Sequence, residues 1–261
     1  MQSTQPTESR ERPPLSPLLR ELVDEAMRHE AVRHPYLRAL AEGAFTEPRE
    51  ALRAFAREYA GYSAWFPRFL AAVEERLPAE LASVLEENKA EEVGLYDEET
   101  LMELESAGLR REWVDGVPHP ELFERFQEGL GVATDGAIAL GSPAFRWRES
   151  LLQLLESDHP AAAVGALGLG TELVVSSMYA DVLRGVDRFV HIRPEARSFL
   201  VLHSLVDDAH AESLLDLAGR LAKDEEARAA LARGMRAALN LRAEFWRALH
   251  AEAMSSQEEA A

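Results

Sequence analysis

Residues 161–183, AAAVGALGLGTELVVSSMYADVL, are apolar on nearly every face of a helix, and they constrain the fold more than any other stretch. A surface helix shows one apolar stripe, whereas a helix apolar all round needs neighbours on every side. The rest of the chain must surround this segment, and it supplies helices to do so. Between residues 15 and 254 almost every segment carries apolar residues at helical spacing. No Val/Ile/Thr-rich run alternates long enough to read as a strand. The expected helices are 15–30, 34–42, 48–76, 79–93, 98–109, 119–130, 143–158, 161–184, 194–222 and 225–254. Gly, Pro and His-Pro punctuate them, as at Gly43, Pro78, Gly94, His119-Pro120 and His159-Pro160. The chain therefore reads as all-α, with one domain over 15–254 and disordered tails at 1–14 and 255–261.

Composition limits what such a chain can do. Lys and Arg number 28 against 46 Asp and Glu, a formal charge of −18. That field repels phosphate backbones and anionic lipid, so neither nucleic acid nor a membrane surface is an expected partner. MQSTQPTESRERPP lacks the apolar stretch of a signal peptide and no apolar run is read as spanning, so a cytoplasmic location is expected. The chain has no Cys. Disulfides, zinc ribbons, iron–sulfur clusters and thiol nucleophiles are thereby excluded. Any metal must be held by His and carboxylate groups.

Such groups occur in suggestive places. In RSFLVLHSLVDDAHAESLLDLAGRL, His203, Asp207 and His210 follow steps of four and three, which stack them on one face of a continuous helix. Two imidazoles and a carboxylate aimed at one point suit iron, manganese or zinc. Glu172 interrupts the apolar central helix. A carboxylate there is costly unless paired with an Arg or bound to a metal, and metal binding is the reading carried forward. ENKAEEVG closes a helix with Glu91 and Glu92, at a terminus whose partial charge is already negative. Taken alone these are surface acids, and His119 is a helix-boundary residue. The stripe Phe55, Tyr59, Tyr62, Phe66 and Phe69, with Trp65 beside it, reads first as a core seam. Its second reading is a pocket wall, where Tyr59, Tyr62 and Phe66 would touch a substrate.

Taken in order, LEENKAEEVG, HPELFERFQEGLGV, the helix with Glu172, and HSLVDDAH resemble the motifs of haem-oxygenase-like di-iron oxidases and oxygenases. These are iron-containing redox enzymes related to the thiaminase-II-like proteins and to the pyrroloquinoline-quinone synthesis protein C. EYAGYSAWFPRFLAAVEERLP is similar to an early helix of the family, so the resemblance spans roughly residues 34–222. The family pattern falls on Asn88, Glu92 and Gly94, on His119-Pro120, on Glu172, and on His203, Asp207 and His210. The resemblance implies an up-and-down bundle of about seven core helices plus peripheral ones. It also implies two iron ions held by Glu92, His119, Glu172, His203, Asp207 and His210. O2 would be the co-substrate, acting through a peroxo-di-iron intermediate on a small amine, amino acid or carboxylic acid. N-oxygenation and oxidative C–C cleavage are the implied reactions, and an external electron donor and a homodimer belong to the same expectation. Manganese would suit the same ligands.

One departure from the family pattern is the 26 residues that separate Glu92 from His119, which relatives keep close. An insertion of this kind can form a surface helix at small cost. It leaves Glu91 as an alternative to Glu92. A substrate carboxylate, common in the family, would call for a buried cation, and Arg146, Arg148 and Lys89 are available. Thiaminase-II-like hydrolysis needs a Cys. Haem binding could use His29 or His34 but explains none of the later ligands. The other readings are a metal-free small-molecule scaffold, such as a cofactorless oxidase like the quinone-synthesis protein, and a non-catalytic helical interaction protein.

Overall fold

Four helix starts follow one recipe, in which a side chain accepts a backbone N–H and a proline comes next. Ser16 accepts from Leu19 before Pro17, and Ser142 from Phe145 before Pro143. His34 and His159 accept from Tyr36 and Ala161 before Pro35 and Pro160. The cap satisfies an orphan donor, and proline at the first position gives up an N–H that the helix does not use. The computed structural model describes residues 15–134, 138–157, 159–204 and 207–260, with 207–210 and 256–260 described by backbone alone. The expected tail 1–14 lies outside the described residues.

Among the described residues all regular elements are helical. They are α1 (Pro17–Arg28), α2 (Pro35–Glu42), α3 (Pro48–Ser63), α4 (Phe66–Glu74), α5 (Ala79–Ala82), α6 (Glu86–Glu92), α7 (Glu98–Ser106), α8 (Arg111–Val114), α9 (His119–Leu130), α10 (Pro143–Leu155), α11 (Pro160–Val164), α12 (Leu173–Phe189), α13 (Ser198–His203), α14 (Asp207–Leu221) and α15 (Glu225–Ala260). A π-helical stretch, Gly165–Glu172, joins α11 to α12, and 3-10 turns precede α6 and α13.

The structure differs from the periodicity in three places. The expected helix 48–76 breaks into α3 and α4 because Pro67 has no N–H to give the Ser63 carbonyl. The expected helix 194–222 ends its first part at His203, where the Ser204 hydroxyl bonds the Leu200 carbonyl at 2.7 Å. The Ser204 N–H there is shared between the Leu200 and Val201 carbonyls, at 3.2 and 3.1 Å, as in a tightening last turn. The His203/Asp207/His210 motif thus straddles the junction of α13 and α14 instead of lying along one unbroken helix. At the other end of the chain, α15 runs through Ala260, into the segment read as a tail.

Pro160–Phe189 sits where its composition requires. By length and mean hydropathy (1.5) it could cross a membrane, contrary to the reading that no run is long enough, but 83% of its most apolar window is buried inside the protein. Helices α2, α10, α14 and α15 pack around it. The α15 crossing is a near contact of backbones. A Cβ at Gly165 would strike the Leu231 carbonyl, and one at Gly234 the Ala162 carbonyl. Buried apolar side chains from Leu19 to Leu249 form one connected core.

Candidate metal centre

The insertion after Glu92 closes on itself. Gly94 leaves α6 at φ +82°, a conformation that favours glycine, and a Cβ there would strike the Val117 backbone. The Gly116 N–H then donates to the Gly94 carbonyl at 2.8 Å. The excursion through α7 and α8 therefore begins and ends at one point, and it delivers His119 beside Glu92. Of the two adjacent glutamates, both buried, it is Glu92 that meets His119.

The contact is close. His119 Nδ1 and Glu92 Oε1 lie 2.9 Å apart, both side chains buried. The carboxylate accepts, so Nδ1 carries the proton, and Nε2 takes the hydroxyl of Tyr96 at 2.8 Å. His203 joins from the end of α13, its ring centre 4.6 Å from that of His119. Its Nδ1 donates to the Phe199 carbonyl at 2.7 Å, which leaves the Nε2 lone pair uncommitted by that bond. Ligand atoms of Glu92, His119 and His203 all fall within 4.8 Å of one another.

Glu172 is brought to the same place by the π-helical stretch. Thr171 Oγ1 bonds the Ala166 carbonyl at 3.0 Å and the Leu173 N–H reaches back to Gly168, the wider spacing of a π-turn. Glu172 is buried and lines one small cavity with Glu92, His119 and His203. Tyr59, Tyr62 and Phe66 line it too, as do Tyr179 and Phe199. The aromatic stripe is therefore core seam and cavity wall at once. The cavity holds about 20 Å³, room for a water or an ion. The side chains of Asp207 and His210 lie outside the described residues.

These residues suit an iron ion on two counts. Imidazole and carboxylate are its ordinary ligands. Glu92 Oε2 is buried with no hydrogen-bond partner among the described residues. Such donors sit about 2.0–2.2 Å from a metal, so a pair 2.9 Å apart can share one by exchanging the Nδ1 proton for the ion. The Tyr96 hydroxyl and the Phe199 carbonyl would then hold the far nitrogens of the two rings, as outer groups do in metal sites.

The expected cations for a substrate carboxylate are elsewhere. Lys89 pairs with Glu74 at 2.9 Å. Arg148 stacks on Trp65 and pairs with Glu149 at 3.0 Å, while Arg146 is exposed and bonds the Gly141 carbonyl. Of the two histidines weighed for haem, His34 caps α2 and packs against His250, and His29 accepts the Ala31 N–H. The sequence reading missed two residues. Tyr96 carried no signal, because its role depends on how the insertion closes. Arg242 carried one: Ala238, Leu239, Phe245 and Trp246, three and four residues away, are all buried, so it stands on the apolar face of α15. It is itself buried, against Tyr62 and Trp147.

With the geometry established, the chain can be set beside known proteins. Residues 53–243 match the sequence model of a family described as iron-containing redox enzymes. A CADD-like protein of unknown function from Nostoc punctiforme is similar in structure, with a TM-score of 0.71 at 18% identity over 90% of this chain and 96% of that one. A TenA homolog from Pseudomonas syringae gives 0.68 at 14%, over 91% and 94%. A domain of unknown function with a haem oxygenase-like fold, from Shewanella denitrificans, gives 0.64 at 15%, over 90% and 89%. At these identities the likeness shows the fold, which is all-α and haem oxygenase-like. No functionally curated protein matches the chain significantly.

Proposed function

The chain belongs to the iron-containing redox enzymes, and from that premise we propose that it is a di-iron oxidase or oxygenase using O2 to oxidise a small organic substrate. One observation carries the reading: Glu92, His119 and His203 converge within 4.8 Å inside the core, and Glu92 Oε2 has no hydrogen-bond partner among the described residues. Glu172 faces the same cavity, and Asp207 and His210 follow His203 in the motif. Those six side chains would hold the two ions. Their three carboxylates offset most of the charge of two Fe(II) and leave a slightly cationic site. When bound, ferrous ions would supply the electrons that reduce O2 and the Lewis acidity that stabilises the reduced oxygen.

The protein's own groups do the rest. The Phe199 carbonyl fixes His203 as the Nδ1–H tautomer, so that Nε2 is the ligand. Tyr96 holds the orientation of His119. Tyr59, Phe66, Val175 and Phe199 exclude bulk water from the cavity, which strengthens every electrostatic interaction inside it. Tyr59 and Tyr179 share a buried hydrogen bond of 2.8 Å that faces the cluster and can pass a proton. A small amine, amino acid or carboxylic acid is the proposed substrate, with N-oxygenation or oxidative C–C cleavage as the reaction. An external electron donor, a homodimer and a cytoplasmic setting complete the proposal.

The test is O2 consumption after anaerobic Fe(II) loading. The reading expects iron-dependent uptake that rises with a cognate substrate and is lost in Glu172→Ala. Equal O2 uptake by the wild type and Glu172→Ala, with every candidate substrate, would contradict it.

A further inference from the structure

Arg242 is a buried cation with no carboxylate paired to it among the described residues. Its side chain is 1% exposed, and Nε and Nη1 have no hydrogen-bond partner among the described residues. Nη2 donates to the Tyr62 hydroxyl at 3.3 Å. The other groups its charge meets are the hydroxyls of Tyr59 and Tyr179. None supplies a negative charge: burial pushes the Tyr62 phenol far above its usual range, though Arg242 opposes the shift. The guanidinium rests on the faces of Trp147 and Tyr62, 5.0 and 5.6 Å from the ring centres. These contacts soften the cost of burial but leave two donor atoms unused. A native core rarely keeps a charged fork in that state unless something arrives to fill it.

We propose that Arg242, with the hydroxyls of Tyr59, Tyr62 and Tyr179, is the carboxylate-binding subsite for the substrate, which is therefore a small carboxylic acid or amino acid. The three tyrosines line the same cavity as Glu92, His119, Glu172 and His203, and Arg242 stands behind them, outside the lining, where its Nη2 meets the Tyr62 hydroxyl. A carboxylate held by them places the next atoms of a small molecule beside that cluster. To this extent the inference rests on the function proposed above. The planar fork of an arginine matches a carboxylate in two parallel hydrogen bonds, and the Tyr62 hydroxyl, which accepts from Nη2, has a proton to add. A phosphate fits less well, because its second charge would face the carboxylates of Glu92 and Glu172 across a cavity of about 20 Å³. An acid must shift the cavity wall to enter, and Trp147, stacked on Tyr62 at 3.8 Å, will report that shift as a change in fluorescence.

The experiment is calorimetry and tryptophan fluorescence on the metal-free full-length chain. The probes are a panel of amino acids and straight-chain fatty acids, each beside its decarboxylated or amide counterpart, with phenyl phosphate as a further arm. The expected result is at least one acid that binds more tightly than its counterpart by about tenfold or more. That preference should vanish in Arg242→Met and return in part in Arg242→Lys, a pattern that loss of packing alone would not give. No acid preference in the wild type overturns the proposal, and so does a preference that survives in Arg242→Met. If Arg242→Met fails to fold, full preference in Arg242→Lys overturns it. Arg242-dependent binding of phenyl phosphate as tight as that of any acid overturns the carboxylate assignment. Iron uptake is measured on the same samples. Acid preference without iron uptake keeps this inference and removes the di-iron reading; iron uptake without acid preference does the reverse.

Discussion

The polar atoms of Trp246 and the cap of His34 are paired, while Glu92, Asn88 and Arg242, the last one turn before Trp246 on α15, keep several spare among the described residues. The Trp246 indole N–H donates to the Ala31 carbonyl at 3.1 Å, and His34 Nδ1 takes the Tyr36 N–H. The rings of Tyr36, Phe55 and Tyr59 each stack against Trp246, and Phe55 tilts against Tyr59. In the other region Glu92 Oε2, both amide atoms of Asn88, and Nε and Nη1 of Arg242 are buried with no hydrogen-bond partner among the described residues. Buried polar groups are normally paired. A core that satisfies one set of groups and leaves another with spare donors and acceptors distinguishes the groups that hold the fold from those that meet ligands, with Tyr59 touching both.

The sharpest way to break that separation is Trp246→Ala. Removing a fully buried ring should cost about 3–5 kcal/mol, read as a lower denaturation midpoint, with iron uptake per folded molecule unchanged. If iron uptake falls in step with stability, the two regions are not separable. Gly234→Val comes next. The new side chain would meet the Ala162 carbonyl, at a cost of about 1–3 kcal/mol or more from overpacking. Because the Gly165–Glu172 stretch follows directly, the shift should also weaken iron binding, making this the one structural change expected to cross between the regions. Arg242→Met should be close to neutral, or stabilising by about 1 kcal/mol, since it replaces an unpaired buried charge with an apolar group of similar length. A large loss of stability there would make Arg242 a structural residue.

How much of this was legible in the sequence follows the same division. Helices could be read because their starts are local chemistry, a capping side chain followed by proline, and because the central segment could only be a buried helix. Glu172 was legible for the same reason, as a charge in an apolar run. The meeting of Glu92 with His119 was readable only by resemblance, since it depends on Gly94 and Gly116 pinning the ends of an excursion. The break after His203 was invisible to periodicity, because the helical spacing runs through it with no Gly or Pro to mark it. Arg242 left a trace that composition hides. It is one of 28 basic residues, and only its place on the apolar face of α15 distinguishes it.

The smallest expected effect belongs to the satisfied region and concerns pH. Burial lowers the His34 pKa, partly opposed by Glu30, with His250 and Arg247 also facing the ring. A depressed value means that the unfolded chain takes up a proton that the folded one refuses. The stability is therefore fully present above the unfolded value of about 6.5 and is lost as pH falls through the folded value. Asparagine also caps helices, so His34→Asn should remove the titration and keep the cap. Urea melts should show wild type losing slightly more stability than the variant on acidification from about pH 7.5 to pH 5. An identical pH dependence in both would leave His34 out of the account.

The central claim is that the spare valences around Glu92 belong to iron. Its most direct test is an anaerobic Fe(II) titration of the full-length chain, with bound metal counted after desalting, beside His203→Ala and Glu92→Ala. The account predicts two iron ions per chain in the wild type and a loss of at least one in each variant, both still folded. A wild type that retains no iron, or variants that retain as much as the wild type, would contradict it.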